Sequence, residues 1–266
     1  MNPLILIRGG GDLASGVALR LHRVGFQVAI LELEKPLAVR RTVSFSEAVY
    51  EGTQTVEGVT ARLVSGDQFQ VTMEAGEIPV LVDPTANILN NQFLTSPNFT
   101  FVVDARLTKA EPDPLPVNVA LHIGLGPGFT AGANCHAVIE TQRGHALGRV
   151  YWEGKASPDS RQPDGDQRRV LRAPAAGNVE TKKRIGDLCK EGETIAMVGG
   201  KTIISPFDGI LRGLIHSRVQ ATEGMKIGDV DTRNDPSMIH FVSDKALSVA
   251  GGVLEAVYMK LKGMEN

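Results

Sequence analysis

The chain has 266 residues, of which 42% are hydrophobic and 22% are charged, and its formal net charge is −2. These values are typical of a globular protein with a hydrophobic core, and the charge argues against a nucleic-acid partner. At roughly 150 residues per domain, the length predicts one large domain or two modest ones. Two widely separated cysteines, Cys135 and Cys189, form no CxxC metal pair and favour a reducing compartment.

The first residues, MNPLILIRGGGD, hold too few apolar positions before Arg8 for a signal peptide or a membrane span. We therefore expect a cytoplasmic protein with no membrane partner. A homo-oligomer is compatible with the sequence.

The N-terminal apolar residues predict a β-α-β unit. Leu4–Ile7 is a short apolar run, residues 13–24 have apolar side chains at helical spacing, and Val28–Leu31 is a second run. Later runs bounded by Asp, Pro or Gly, as buried parallel strands are, occur at Val80–Val82, Phe101–Val103 and Val119–Ile123. The sequence therefore predicts an α/β fold with a Rossmann-like, mostly parallel sheet in a cofactor-binding domain of residues 1–153.

A polar stretch follows this predicted domain. Residues 154–169 contain no apolar side chain larger than Ala and are rich in turn formers, which predicts a linker or an exposed loop.

Residues 170–242 contain an internal repeat. Pro174-x-x-Gly177 recurs 32 residues later as Pro206-x-x-Gly209, which predicts a two-fold β sandwich or barrel. The segment resembles biotinyl and lipoyl carrier domains, which implies a small all-β barrel-sandwich domain. The modified-lysine motif of those carriers is absent, and Lys201 stands in a shortened turn, so we expect a docking module.

The last segment, residues 243–266, has apolar residues at helical spacing between Leu247 and Leu261, with Ser243 as a candidate N-cap. It predicts a C-terminal helix that packs back onto the protein.

A glycine-rich segment stands between the first predicted strand and the first helix. It reads Gly9-Gly10-Gly11-Asp12-Leu13-Ala14, the G-x-G-x-x-A form of the dinucleotide fingerprint. Glycines let the backbone approach a phosphate, whose charge then meets the amides of the helix N-terminus. Glu32 stands where an acidic residue would accept hydrogen bonds from a ribose. A ligand-free turn is the alternative, and Asp12 favours it because a carboxylate repels phosphate.

A second glycine cluster, with Gly124, Gly126 and Gly128, follows the predicted strand Val119–Ile123. It would lie at the sheet edge where open α/β folds bind ligands. A surface crossover loop is the alternative.

Other polar residues are expected near this edge. Asp104 and Arg106 end the strand Phe101–Val103, and either is a candidate site residue, although a strand-end Asp is also a common turn former. Arg40 and Arg41 could meet a phosphate or carboxylate, although an Arg pair more often forms a solvated face.

Cys135 is a candidate nucleophile or soft metal ligand, because a thiol near glycine-rich amides can have a lowered pKa. The alternative is a simply buried cysteine. His136 is not expected to act with it, since neighbours along a strand point to opposite faces.

Together these motifs resemble the YqeB-type accessory proteins of selenium-dependent molybdenum hydroxylases, which are distantly related to XdhC/CoxI proteins. The resemblance covers nearly the whole chain and includes the segments IRGGGDLASGVALRLHRVGF, VDARL, IGLGPGFTAGANCHAVIETQRGHALGRV and SPFDGILRGLI. It implies an accessory protein that handles or inserts the molybdenum cofactor, a pterin dinucleotide. The implied partners are the hydroxylase apoenzyme or other maturation factors.

The resemblance also implies where the cofactor would lie. The matching positions are Gly9 to Ala14, Arg40, Arg41, Asp104 to Arg106, Gly124 to Phe129, Cys135 and His136. Cys135 would contact the molybdenum or a chalcogen.

Two other functions stay open on the residues alone. One is an NAD(P)-dependent oxidoreductase with Glu32 on the ribose, although no His–Asp pair or Tyr-x-x-x-Lys motif is found to handle a proton. The other is a nucleotide-free scaffold protein.

Overall fold

The computed structural model describes residues 3–91, 100–160, 165–233 and 235–264. The helices are α1 (Asp12–Arg23), α2 (Ala48–Glu51), α3 (Phe69–Glu74) and α4 (Asp244–Met264). The strands of the N-terminal part are β1 (Leu4–Arg8), β2 (Gln27–Glu32), β3 (Thr53–Val56), β4 (Val59–Leu63), β5 (Ile78–Val82), β6 (Thr100–Asp104), β7 (Leu121–Leu125), β8 (Ala137–Ile139) and β9 (Val150–Tyr151).

These nine strands form one mixed sheet in the order β3-β4-β5-β2-β1-β6-β7-β8-β9. Neighbouring strands from β4 to β8 pair in parallel, while β3 and β9 pair antiparallel at the two edges. The central strand β1 is buried along its whole length, which explains its continuous apolar sequence.

Helices α1 and α4 pack against each other and share the core cluster on one face of the sheet. Gly16 of α1 makes this contact close, because a Cβ there would lie 2.7 Å from the Cβ of Ala246. The C-terminal residues therefore return to the nine-stranded sheet. No helix among the described residues combines the length and the apolar character that crossing a membrane requires.

The remaining strands form a C-terminal β unit. They are β10 (Val170–Arg172), β11 (Gly177–Thr181), β12 (Leu188–Cys189), β13 (Thr194–Val198), β14 (Lys201–Ile204), β15 (Gly209–Leu214), β16 (Gln220–Ala221) and β17 (Lys226–Asp231). Two four-stranded antiparallel sheets result, in the orders β10-β17-β15-β12 and β14-β13-β11-β16. Equivalent strands begin 32 residues apart, as β11 and β15 do at Gly177 and Gly209, so each sequence repeat supplies two strands to each sheet.

The prediction of a Rossmann-like domain followed by a barrel-sandwich domain is wrong in this form. The large sheet is mixed, and among the described residues α1 is the only crossover helix longer than six residues, so the helices do not alternate with strands as in a doubly wound fold. The rear strands form two antiparallel sheets of four. The prediction failed because the β-α-β pattern in the sequence covers only β1, α1 and β2 and does not determine how the other strands are connected.

Described residues of the polar stretch 154–169 are bonded to the N-terminal part of the chain. Gly154 bridges to Ala131, and the backbone N–H of Ser157 donates to Oε2 of Glu140 at 2.7 Å. Residues 161–164 of this predicted linker lie outside the described residues.

Candidate anion-binding cleft

A cleft of about 840 Å³ separates the N-terminal end of α1 from β15 and β17 of the C-terminal β unit. A smaller cavity of about 260 Å³ shares part of its lining. The residues common to both cavities, called the basic junction below, are Arg143, Arg169, Arg212, Lys226, Asp229 and Lys245. Five of these six side chains are basic, so the place where the two cavities meet is positively charged.

Two buried carboxylates of β17 organise the arginines at this junction. Asp229 is 1% exposed, and its Oδ2 accepts from Nη2 of Arg169 at 2.8 Å and from Nη2 of Arg212 at 2.5 Å. Asp231 forms ion pairs with Arg212 at 3.2 Å and with Arg233 at 2.7 Å. The hydrogen bond from Arg233 helps to hold the pKa of Asp231 well below its usual range. Such pairing is what a buried carboxylate requires.

Lys226 differs from these arginines because its ammonium forms no hydrogen bond or ion pair with any described residue. It is the first residue of β17 and remains accessible from the cleft. The surrounding protein lowers the pKa of Lys226, chiefly by desolvation; Arg169 and Arg212 add to this, while Asp229 opposes it. The lysine is thus a positive charge in a crowded basic site without a partner of its own.

The N-termini of two long helices also line the cleft. Gly11 is the N-cap of α1, and Asp244 is the first residue of α4. Each helix start carries an aspartate that is paired: Asp12 with Arg40 at 2.9 Å, and Asp244 with Arg143 at 2.7 and 2.8 Å. Because these carboxylates are compensated, they offset only part of the positive potential of the helix ends.

Four of the residues predicted for the first glycine loop and its surroundings line this cleft: Gly11, Asp12, Ala14 and Arg40. The other loop amides are used within the protein. The N–H of Gly9 donates to the carbonyl of Leu31 at 2.7 Å, and that of Gly10 donates to Oε1 of Glu32 at 2.8 Å. Glu32 is buried, which raises its pKa, and it braces the loop from inside.

Arg40 and Arg41 connect the two parts of the chain rather than forming a solvated face. Nη2 of Arg40 donates to the carbonyls of Met238 and Phe241 at 2.9 and 3.0 Å. Nε of Arg41 donates to the carbonyl of Leu214 in β15 at 2.8 Å. Arg41 therefore positions β15 of the C-terminal β unit against the segment that follows β2, and Arg40 positions the connection between β17 and α4 against the same segment.

Asp104 and Arg106 belong to a separate ionic network. Asp104 is fully buried and accepts from Arg8 at 3.1 Å and from Arg106 at 2.6 Å. Asp113 pairs with the same two arginines at 2.8 and 2.7 Å. Two carboxylates and two guanidinium groups thus compensate one another at the end of β6.

The second glycine cluster is packed against neighbouring protein. A Cβ on Gly124 would lie 2.1 Å from the ring of Phe129, and one on Gly128 would lie 2.2 Å from the carbonyl of Ala110. Gly126 has a φ of +110° and lies against the backbone of Leu107. These glycines allow close packing, and their space is already filled.

Cys135 is 9% exposed, and burial raises the pKa of its thiol to about 11. A protonated thiol is a poor nucleophile and a poor molybdenum ligand. His136 accepts from the backbone N–H of His122 through Nδ1 at 2.8 Å, and desolvation lowers the pKa of its ring. The thiol of Cys135 is therefore protonated near neutral pH.

Sequence reasoning missed the basic junction. Its members come from five separate segments between residues 143 and 245, so no local motif contains them. The available signal was Asp229 and Asp231, two acidic residues that alternate with the apolar Val230 at the buried end of β17, where each requires a cationic partner.

No protein-family model matches the chain. Solved structures found to resemble it include an aspartoacylase family protein from Mesorhizobium loti, at 9% identity over 86% of this chain and 85% of that chain, with a TM-score of 0.25. Another is the product-bound ectoine utilization protein EutE (DoeB) from Ruegeria pomeroyi, at 11% identity over 87% and 86%, with a TM-score of 0.28. Likenesses this weak carry no argument about the fold or the activity of this chain.

The predicted role in molybdenum-cofactor maturation is corrected by the contacts that the two glycine loops make within the protein. The amides of Gly9 and Gly10 donate within the protein, and the space around Gly124 and Gly128 is filled by Phe129 and Ala110. Glu32 accepts from the Gly10 amide and is not free for the ribose of NAD(P). The cofactors themselves, and the apoenzyme, maturation-factor or homo-oligomer partners, stay predictions.

One relative is similar over nearly the whole chain. Escherichia coli (strain K12) has a protein called "Uncharacterized protein YqeB", which is 48% identical over 268 residues. The match covers 97% of this chain and 48% of that protein, so the chain spans about half the length of its curated relative. This chain is therefore related to YqeB over that half.

Proposed function

We propose that this protein binds a small phosphate-bearing anion at the basic junction. The observation that carries the proposal is Lys226, an accessible ammonium without a hydrogen-bonding partner among the described residues, placed where two cavities meet. An anion there would receive charge-assisted hydrogen bonds from the lysine and relieve its repulsion with Arg169 and Arg212.

The surroundings of Lys226 support an anion more than a cation. The described residues lining the larger cavity include seven basic and five acidic side chains. Among the acidic ones, Asp12, Asp229, Asp231 and Asp244 are ion-paired with arginines. The N-terminal end of α1 adds a partial positive charge, which favours phosphate.

Calorimetric titration of the whole chain with pyrophosphate tests the proposal. Lys226→Met keeps the length of the side chain and removes its charge, so we expect the affinity to fall about tenfold or more, since hydrogen bonds to charged groups contribute roughly 1.5–3 kcal/mol. Lys201→Met is the matched control, because Lys201 is an exposed lysine of β14 outside both cavities.

Thermal unfolding of all three proteins shows whether the variants are folded. Absence of pyrophosphate binding by the wild-type protein, or equal binding by the folded Lys226→Met variant, would overturn the proposal.

A further inference from the structure

The larger cavity has an apolar wall that the smaller cavity lacks. Leu107 and Phe241 line it, together with Phe207 and Met238. Phe241 is 56% exposed and Leu107 is 38% exposed. Large apolar side chains that converge in a concave site with basic groups are typical of small-molecule binding. Inorganic phosphate would touch only the basic junction and leave this wall uncovered.

The backbones of both residues are held in place by parts of the protein already described. The carbonyl of Phe241 accepts from Nη2 of Arg40 at 3.0 Å, and Arg40 is itself paired with Asp12 at the start of α1. The position of Phe241 is therefore tied to the same helix end that lines the cleft.

Leu107 has a backbone conformation that its residue type disfavours. Its φ is +58°, in the left-handed region that costs a non-glycine residue roughly 1 kcal/mol or more. The second glycine cluster packs behind it: a Cβ on Gly126 would lie 3.3 Å from Cα of Leu107, and the N–H of Gly128 donates to the carbonyl of Thr108 at 3.0 Å. The glycines thus fix a strained backbone whose leucine lines the cleft.

We propose that Leu107 and Phe241 bind a planar aromatic group, so that the ligand of this protein is an aromatic phosphate ester. The inference rests on the proposed anion site and names the class of its ligand. A cleft of about 840 Å³ is large enough for a ligand that reaches from the basic junction to the apolar wall. The phosphate would lie at Lys226 and the ring against Phe241, where aromatic side chains favour stacked or edge-to-face contacts.

The test compares phenyl phosphate with methyl phosphate by calorimetry, because the two esters share the phosphate and differ in the ring. We expect the wild-type protein to bind phenyl phosphate about tenfold more tightly, as expected for partial burial of an aromatic ring. In Phe241→Ala the ratio should fall to about two or less, while the affinity for methyl phosphate changes little.

The matched control is Leu188→Ala, which removes a side chain that is 66% exposed on β12, outside both cavities. It should keep the wild-type ratio. Equal affinity of the wild-type protein for the two esters, or an unchanged ratio in a folded Phe241→Ala variant, would overturn the aromatic assignment.

The outcomes separate this inference from the proposed function. Binding of both esters without a preference for phenyl phosphate leaves the anion site standing and removes the aromatic ligand. Failure of both esters and of pyrophosphate to bind removes the anion site and the inference with it.

Discussion

Arg212 donates to Oδ2 of Asp229 at 2.5 Å, and the other carboxylate oxygen of Asp229, Oδ1, is buried without a hydrogen-bonding partner among the described residues. Only Oδ2 of this carboxylate therefore accepts hydrogen bonds from described residues, and its donors are the arginines of the basic junction. This asymmetry makes Asp229 the counter-charge that holds Arg169 and Arg212 at the cleft.

Replacement of Asp229 by Asn should destabilise the fold and strengthen anion binding. The substitution removes the charge that Arg169 and Arg212 share and leaves Asp231 as their remaining partner, and breaking a buried ion pair costs about 3 kcal/mol. The freed arginines should then raise the affinity for pyrophosphate. Urea unfolding and calorimetry measure the two effects. Asp208→Asn, which removes an exposed pair with Lys190, should change stability by less than about 1 kcal/mol. Unchanged stability in Asp229→Asn would contradict this role.

Anion binding should be linked to protonation of Lys226. In the free protein desolvation lowers the pKa of Lys226, and a bound phosphate should raise it again. Between the two pKa values the complex holds more protons than the free protein, so affinity falls as the pH rises through that interval. Calorimetry near pH 9 in two buffers of different ionisation enthalpy should show proton uptake that is smaller in Lys226→Met. Identical uptake in both proteins would exclude Lys226 as its source.

The two glycine clusters should respond differently to a methyl group. Gly124→Ala places a Cβ 2.1 Å from the ring of Phe129, so overpacking should destabilise the protein by about 1–3 kcal/mol. Gly11→Ala meets no atom within 4 Å and should cost about 1 kcal/mol or less, the loss of a favourable N-cap residue. Thermal or urea unfolding compares them. Equal losses would show that Gly11 is as tightly packed as Gly124.

Cys135 should react slowly with thiol reagents at neutral pH. Burial raises its pKa to about 11, so the thiolate fraction is very small near pH 7 and increases as the pH approaches that value. The rate of alkylation by iodoacetamide should therefore rise with pH and show no plateau below about pH 10. The measurement uses a Cys189→Ala variant, which removes the second free cysteine. A plateau near neutral pH would restore Cys135 as a candidate nucleophile.

The sequence by itself determined the local elements. Continuous apolar runs placed β1 and β2, helical spacing placed α1 and α4, and the repeat of 32 residues marked equivalent strands of the C-terminal β unit. These signals are readable because each depends on residues close together in the chain, whose periodicity reflects the face that they bury. The same local patterns led to the wrong prediction of a Rossmann-like sheet, because a single β-α-β unit does not specify how the remaining strands are connected.

Only the tertiary structure decided the candidate site. The basic side chains at the junction come from separate segments of the chain. They meet because α4 returns to the large sheet and because β15 of the C-terminal β unit packs on Val39 and Arg41. Three features that suggest a ligand site in the sequence contact other parts of the protein instead. Glu32 accepts from the Gly10 amide, and Asp104 pairs with Arg8 and Arg106. The second glycine cluster packs against Phe129. The sequence fixes which functional group each side chain carries. Whether that group is available to a ligand depends on whether residues distant in the sequence already form its hydrogen bonds and ion pairs.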